Sequence, residues 1–274
     1  MNTKFYEHQG GQIAYEETGS GPLVISVPSM GDLRGEYRFL APRLASAGYR
    51  VVSMDIRGHG ETSTNWQDVS VAAIGADILA LIRHLNAGPA VIAGTSMAAG
   101  AAVWAAAEAP NLVSGLVLLG PVVRGESGFF FKLLMRVLFQ RPWGAGAWIK
   151  YFETLFPSQK PADYAEYTAA LRRNLEEPGR LETLRRMMLA SKQASAERVE
   201  RVQAPALVVM GSKDPDFKDP RAEAEWLAQT LHGRCEVIDG AGHYPHVEML
   251  DRSIPLVLSF LASIKAGQAV THAA

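Results

Sequence analysis

A single cysteine, Cys235, stands in 274 residues, which excludes an intramolecular disulfide framework and any zinc site built from cysteines. It opens an apolar run, "CEVID", so a buried, inert thiol is expected there. Acidic and basic residues nearly cancel, to a formal net charge of −1. That balance excludes the basic excess that draws a protein to nucleic acid or to an anionic membrane surface. No apolar run approaches the roughly 18 residues that suggest a membrane span, so stable membrane insertion is not expected. The opening "MNTKFYEHQGGQIAYEE" lacks the apolar core of a secretory signal, and a cytoplasmic protein is the expectation. No glycine fingerprint for a dinucleotide, no phosphate-binding loop and no histidine cluster with metal-ligand spacing is found. The sequence therefore implies no cofactor and no metal.

What is present is a substantial core and a rhythm. Short β-branched runs alternate with longer helical patterns, the pattern of βα units around a mostly parallel sheet. "KFYEHQ" and "QIAYEET" predict an opening hairpin around Gly10 and Gly11. "LVISV", "RVVSMD", "AVIAG" and "SGLVLLG" predict strands, with helices through "EYRFLAPRLASAG", "VSVAAIGADILALIRHL" and "MAAGAAVWAAAEA" between them. From Val122 to Arg198 the pattern is helical, with no convincing strand. "APALVVMG", "RAEAEWLAQTLHG", "CEVID" and "SIPLVLSFLASI" then restore the alternation, and "KAGQAVTHAA" reads as a frayed tail. One α/β core formed by residues 1–121 and 199–274, carrying a helical insertion over 122–198, accounts for this order.

Ser96 sits in "GTSMA", between an apolar strand and a helix of small residues. A sharp strand–turn–helix forces its central residue to positive φ, so the neighbours must be small. Gly94 and Ala98 meet that need. A serine hydroxyl becomes a useful nucleophile when an imidazole takes its proton and a carboxylate orients the imidazole. Both follow the insertion in the order Asp, His: Asp214 in "VVMGSKDPDF" and His243 in "VIDGAGHYPHVE", each just beyond a strand. Asp216 and Asp219 share the loop of Asp214, and His59 and His246 compete with His243.

Together these segments resemble the α/β-hydrolase family, in its capped, serine-nucleophile, carboxylesterase-like branch. "GTSMA" is similar to the nucleophile elbow, "GSKD" to the acid loop and "GAGHYPHVE" to the histidine loop. "DIRGHGET" is similar to the loop after the fourth strand. The resemblance covers essentially the whole chain except its ends. It implies the α/β-hydrolase fold, a mostly parallel sheet flanked by helices with a helical cap after the sixth strand. It also implies Ser96 as nucleophile, His243 as base and Asp214 as orienting acid, with Glu126 an alternative acid because some relatives place it there. The oxyanion donors would be the backbone N–H groups of Met97 and Met30. Here the chain departs from the family, writing Pro28-Ser29-Met30 where His-Gly is usual.

In the cap, "GFFFKLLMRVLFQR" leaves only a thin polar stripe, Lys132, Arg136 and Gln140, on an otherwise apolar helix. Simple burial of a cap helix competes with a role in lining an acyl or aryl pocket, for which Phe130, Leu134 and Trp143 are the candidates. The partner implied is a small-molecule substrate, a neutral and fairly hydrophobic ester, thioester or lactone. A small-molecule receptor or regulator that keeps the triad with little turnover is the alternative. The sequence does not indicate an oligomeric state.

Overall fold

The computed structural model describes residues 2–125 and 129–272, without the side chains of residues 129–132 and 267–272. Its centre is an eight-stranded sheet in the order β1-β2-β4-β3-β5-β6-β7-β8. The strands are β1 (Lys4–His8), β2 (Gly11–Thr18), β3 (Leu23–Val27), β4 (Arg50–Met54), β5 (Ala90–Thr95), β6 (Val113–Leu119), β7 (Ala206–Gly211) and β8 (Arg234–Ile238). β1 and β2 form the expected hairpin, and β2 runs antiparallel to β4. The pairings from β4 through β8 are all parallel.

Every residue of β3, β5 and β7 is buried, as expected for parallel strands covered on both faces. Successive side chains point to opposite faces. Ile25, Ile92 and Val208 enter one core with α2 (Val71–Leu85), α3 (Met97–Glu108) and α9 (Pro220–Thr230). Val24, Val91 and Leu207 enter the other with α1 (Leu40–Ser46) and α11 (Leu250–His272). α2 begins where the Ser70 side chain accepts from the Ala73 N–H and ends at left-handed Asn86, capping that satisfies otherwise orphaned backbone groups.

Among the described residues, the segment between β6 and β7 holds helices and no strand. They are α4 (Phe129–Leu138), α5 (Gly144–Thr154), α6 (Tyr164–Glu176), α7 (Arg180–Leu189) and the short α8 (Gln193–Ala196). They carry an apolar cluster of their own, with Phe139, Trp148, Phe152, Leu171, Leu175 and Leu184 at its centre. Tyr244 and Val247, from α10 (Pro245–Glu248) and the residue before it, join that cluster and tie it to the sheet half.

Three expectations change. The helix expected through "EYRFLAPRLASAG" is split into a 3-10 turn at Arg34–Arg38 and α1; Pro42 has no N–H to donate back to Arg38, so a continuous helix would lack that bond. The expected frayed tail is instead helical through His272, where Lys, Ala and Gln favour helix. Cys235 is half-buried rather than enclosed, and burial pushes its thiol up. No helix among the described residues is long and apolar enough to cross a membrane.

A fully buried arginine–carboxylate pair lies inside the sheet half. Arg57, in the loop after β4, meets Asp77 of α2 through two hydrogen bonds of 2.6 and 2.8 Å, with both side chains 1% exposed. Asp77→Ala should destabilise the protein by about 3–5 kcal/mol, because it leaves a guanidinium buried without its counter-charge. Glu176→Ala, which breaks the solvent-exposed pair with Arg172, should change stability by about 0.5 kcal/mol or less. Urea unfolding of both variants checks the contrast.

Candidate active site

Ser96 occupies the turn from β5 into α3 with φ 56° and ψ −121°, a conformation that costs a non-glycine residue on the order of 1–3 kcal/mol. The backbone holds it there: its N–H donates to the Leu119 carbonyl at 3.0 Å, and its own carbonyl accepts from Ala99 and Val122 N–H. The small neighbours are required sterically. A Cβ on Gly94 would lie 2.7 Å from the Ala98 carbonyl oxygen.

The carbonyl of Ser96 and the end of β6 also locate the other groups. A Cβ on Gly120, just past β6, would lie 2.4 Å from the His243 carbonyl oxygen and 3.3 Å from its Nδ1. His243 reaches this place from the loop after β8, with its N–H donating to the Leu155 carbonyl beyond α5. Asp214 arrives from the turn after β7, and its Oδ2 stands 2.7 Å from His243 Nδ1. Ser96, Asp214 and His243 are all buried. The described hydrogen bonds of Ser96 involve its backbone only, so the hydroxyl–imidazole contact is not closed in this conformer. Such contacts are often long in unliganded proteins.

Burial alone would depress the His243 imidazole, but Asp214, Asp216 and the Asp214 hydrogen bond, with Glu36 further off, outweigh it and raise it to about 9. Asp216 Oδ2 is 3.8 Å from the same Nδ1. Asp219 instead caps α9, accepting from the Ala222 N–H. Glu126 lies outside the described residues. Asp214, Asp216 and His243 offer ligand atoms within 4.8 Å of one another. The short hydrogen bond engages the imidazole nitrogen that an ion would need.

The loop after β3 is braced by the two competing histidines. His59 is buried, takes the Gly31 N–H at 3.0 Å on Nε2 and sits 2.9 Å from the Arg57 carbonyl through Nδ1. That pair of contacts assigns the proton to Nδ1, and burial lowers the imidazole to about 4. His246 meets Glu36 at 3.0 Å, and the second Glu36 oxygen accepts from the Ser29 N–H. Trp148 of α5 donates to the Gly31 carbonyl at 2.9 Å. Asp55 of "DIRGHGET" accepts from the Arg34 N–H and pairs with its guanidinium. These contacts fix the backbone on both sides of Met30. For the N–H groups of Met30 and Met97, no protein acceptor occurs among the described hydrogen bonds.

Several of these partners carry no local sequence signal. Trp148, Glu36 and Glu248 act from other elements, as does Tyr151 of α5, whose hydroxyl donates to Asp216 Oδ1. Glu248 accepts from Gly242 in the histidine loop and from Ser158 and Gln159 beyond α5. Leu134 and Trp143 are 58% and 53% exposed and face solvent in this conformer. Met135 of α4 and Phe139 just beyond its end are buried instead, and Phe139 packs edge-on against Trp148. The side chain of Phe130 lies outside the described residues.

The alpha/beta hydrolase family model matches residues 24–253. The dihydrolipoyllysine-residue acetyltransferase component of the acetoin cleaving system of Pseudomonas putida is 30% identical over 261 residues, covering 89% of this chain but 64% of that protein. The chain thus spans less than two thirds of that relative's length. The 3-oxoadipate enol-lactonase 2 of Acinetobacter baylyi is 26% identical over 205 residues, 73% of this chain and 74% of its own. Among solved structures, the esterase EaEST of Exiguobacterium antarcticum superposes with a TM-score of 0.82 at 19% identity, over 96% of this chain and 100% of its own. At that identity the likeness is one of fold.

The two buried imidazoles should titrate far apart. In NMR titrations His243 should gain its proton as pH falls through about 9, and His59 should remain neutral until about pH 4. A His243 midpoint near the ordinary 6.5 would contradict the electrostatics of the site.

Proposed function

The chain belongs to the alpha/beta hydrolase family, and on that premise we propose that it cleaves a neutral, hydrophobic carboxylic ester, or a related thioester or lactone, through an acyl-enzyme on Ser96. The observation that carries this reading is the positive-φ Ser96 at a strand end beside a buried, 2.7 Å Asp214–His243 pair. His243 takes the Ser96 proton as Oγ attacks the acyl carbon. The carbonyl π electrons move onto oxygen, and the Met30 and Met97 N–H groups donate hydrogen bonds to the oxyanion that forms. Preorganised donors of this kind are worth about 10²–10³ in rate each. The tetrahedral intermediate collapses, His243 protonates the leaving oxygen or sulfur, and water repeats the sequence to release the acid. Asp214 keeps the imidazole in the required tautomer and stabilises its charged form.

Residues 122–198 act in this reading as a cap over a core of 1–121 and 199–274. Selectivity then comes from apolar cap surface, for which Phe130, Leu134 and Trp143 are the candidates. The reading of a neutral substrate is supported by apolar side chains next to the candidate residues, Met97 after Ser96 and Met30 and Trp148 at the loop after β3. Turnover without metal or cofactor and a cytoplasmic location belong to the same proposal.

A fluorophosphonate should label Ser96, as read by peptide mass spectrometry, and Ser96→Ala should abolish labelling and lower kcat on p-nitrophenyl esters by up to about 10⁶-fold. Labelling elsewhere on active protein would sink the proposal, and a single slow acylation without turnover would mark a receptor instead.

An ester series should separate the cap from the chemistry. Each added acyl CH₂ should improve kcat/KM until the pocket is full, with about 0.8 kcal/mol the ceiling per buried group. Leu134→Ala should shift that chain-length preference while leaving the shortest ester little changed. An unchanged series in a folded variant would place the pocket away from α4.

A further inference from the structure

A second carboxylate faces the imidazole of His243, and the cap holds it there. Asp216 lies two residues beyond Asp214 in the loop after β7, and its N–H donates to Asp214 Oδ1 at 3.0 Å. One of its oxygens, Oδ2, is 3.8 Å from His243 Nδ1. The other, Oδ1, accepts from the Tyr151 hydroxyl at 2.5 Å. Tyr151 is on α5, one turn from Trp148, and the two rings are 5.2 Å apart. Burial, with Asp216 beside it, pushes the Tyr151 phenol well up, so it remains a neutral donor. The Asp216 side chain is 24% exposed. Without the phenol, water would compete for the carboxylate and let it swing away from the ring.

We propose that Asp216 is a second acid of this site, a positioning residue that holds a negative charge against His243, and that Tyr151 makes this charge depend on the cap. The inference rests on the reading of Ser96, His243 and Asp214 given above. The charged and titratable groups around His243 are Asp214 and Asp216 in the acid loop, Glu36 from the turn after β3, and Tyr244 beside it. Glu36 is already engaged by His246 and the Ser29 N–H. Asp216 is therefore the adjustable charge, since its partner Tyr151 belongs to a different layer of the molecule.

The arrangement has opposite effects at two stages. When Ser96 gives up its proton, the resulting imidazolium is stabilised by two carboxylates rather than one, which favours the transition state. Before that step, the same charges keep the ring protonated, so neutral base becomes scarce as pH falls. Removing the Asp216 charge should weaken the base while making it available at lower pH. A purely structural loss would scale the whole pH profile without moving its midpoint.

The test measures kcat/KM for p-nitrophenyl acetate from acid to alkaline pH, together with NMR titration of His243, in the parent, Asp216→Asn, Tyr151→Phe and Asp214→Asn. For Asp216→Asn, the acid midpoint should fall by about one pH unit, the low end of the shift expected from a nearby charge because the group is partly solvated. Its alkaline plateau should also fall. Tyr151→Phe should move the midpoint in the same direction by less. Asp214→Asn should lower kcat about 10⁴-fold, as for other orienting acids. An unmoved midpoint in Asp216→Asn, by both readouts, overturns the role of Asp216. An unmoved midpoint in Tyr151→Phe alone removes the link to the cap. If Asp214→Asn proves no more damaging than Asp216→Asn, the assignment of the orienting acid itself fails.

Discussion

The hydrogen bond between Asp214 and His243 is the interaction on which the rest of the site depends. It sets a charge-bearing group and a titratable ring together out of contact with water, where neither is tolerable without the other. Burial disfavours the charged imidazole, and the carboxylates reverse that preference, to about 9. The surrounding structure keeps the two partners from separating. β7 delivers Asp214 and the loop after β8 delivers His243, and their parallel pairing brings both strand ends to one edge of the sheet. Ser96 emerges from β5, across β6 from that pair. Sites in open α/β sheets form at the carboxyl ends of strands for this reason.

The helices between β6 and β7 contact the loops around His243 as well as carrying an apolar cluster of their own. α5 contacts the loop on one side through Trp148 and Gly31 and the acid loop on the other through Tyr151 and Asp216. The residues just after it hold the histidine loop through the Leu155 carbonyl and Glu248. A displacement of α5 would reach Gly31 beside Met30, Asp216 and the backbone of His243 together. The exposed apolar side of α4, with Leu133, Leu134, Val137 and Leu138, lies apart from these contacts.

How much of this was legible in the sequence follows the range of the interactions. The β-branched runs, the small residues around Ser96 and the break in alternation are local signals. They gave the parallel sheet, the turn into α3 and the helical insertion. The order Ser, Asp, His was readable because each residue lies in the turn or loop that follows a strand. In the sequence His59 and His246 compete with His243; that they instead grip Gly31 and Glu36 depends on contacts spanning 28 and 210 residues. The buried side of the α4 segment was hidden for another reason. A segment apolar nearly all round has no pattern to distinguish Met135 and Phe139 from Leu134, and the packing of Phe139 on Trp148 lies across the chain from it. Tyr151 and Asp216 meet from different layers and leave no spacing to read.

The most direct test of the account is a crystal structure of the protein after reaction with an alkyl phosphonate, whose tetrahedral phosphorus mimics the intermediate. The account predicts phosphorus bonded to Ser96 Oγ. The phosphoryl oxygen should lie about 2.7–3.1 Å from the N–H groups of both Met30 and Met97, with the Asp214–His243 hydrogen bond retained. A phosphoryl oxygen turned away from either N–H, or an adduct on a residue other than Ser96, would contradict it.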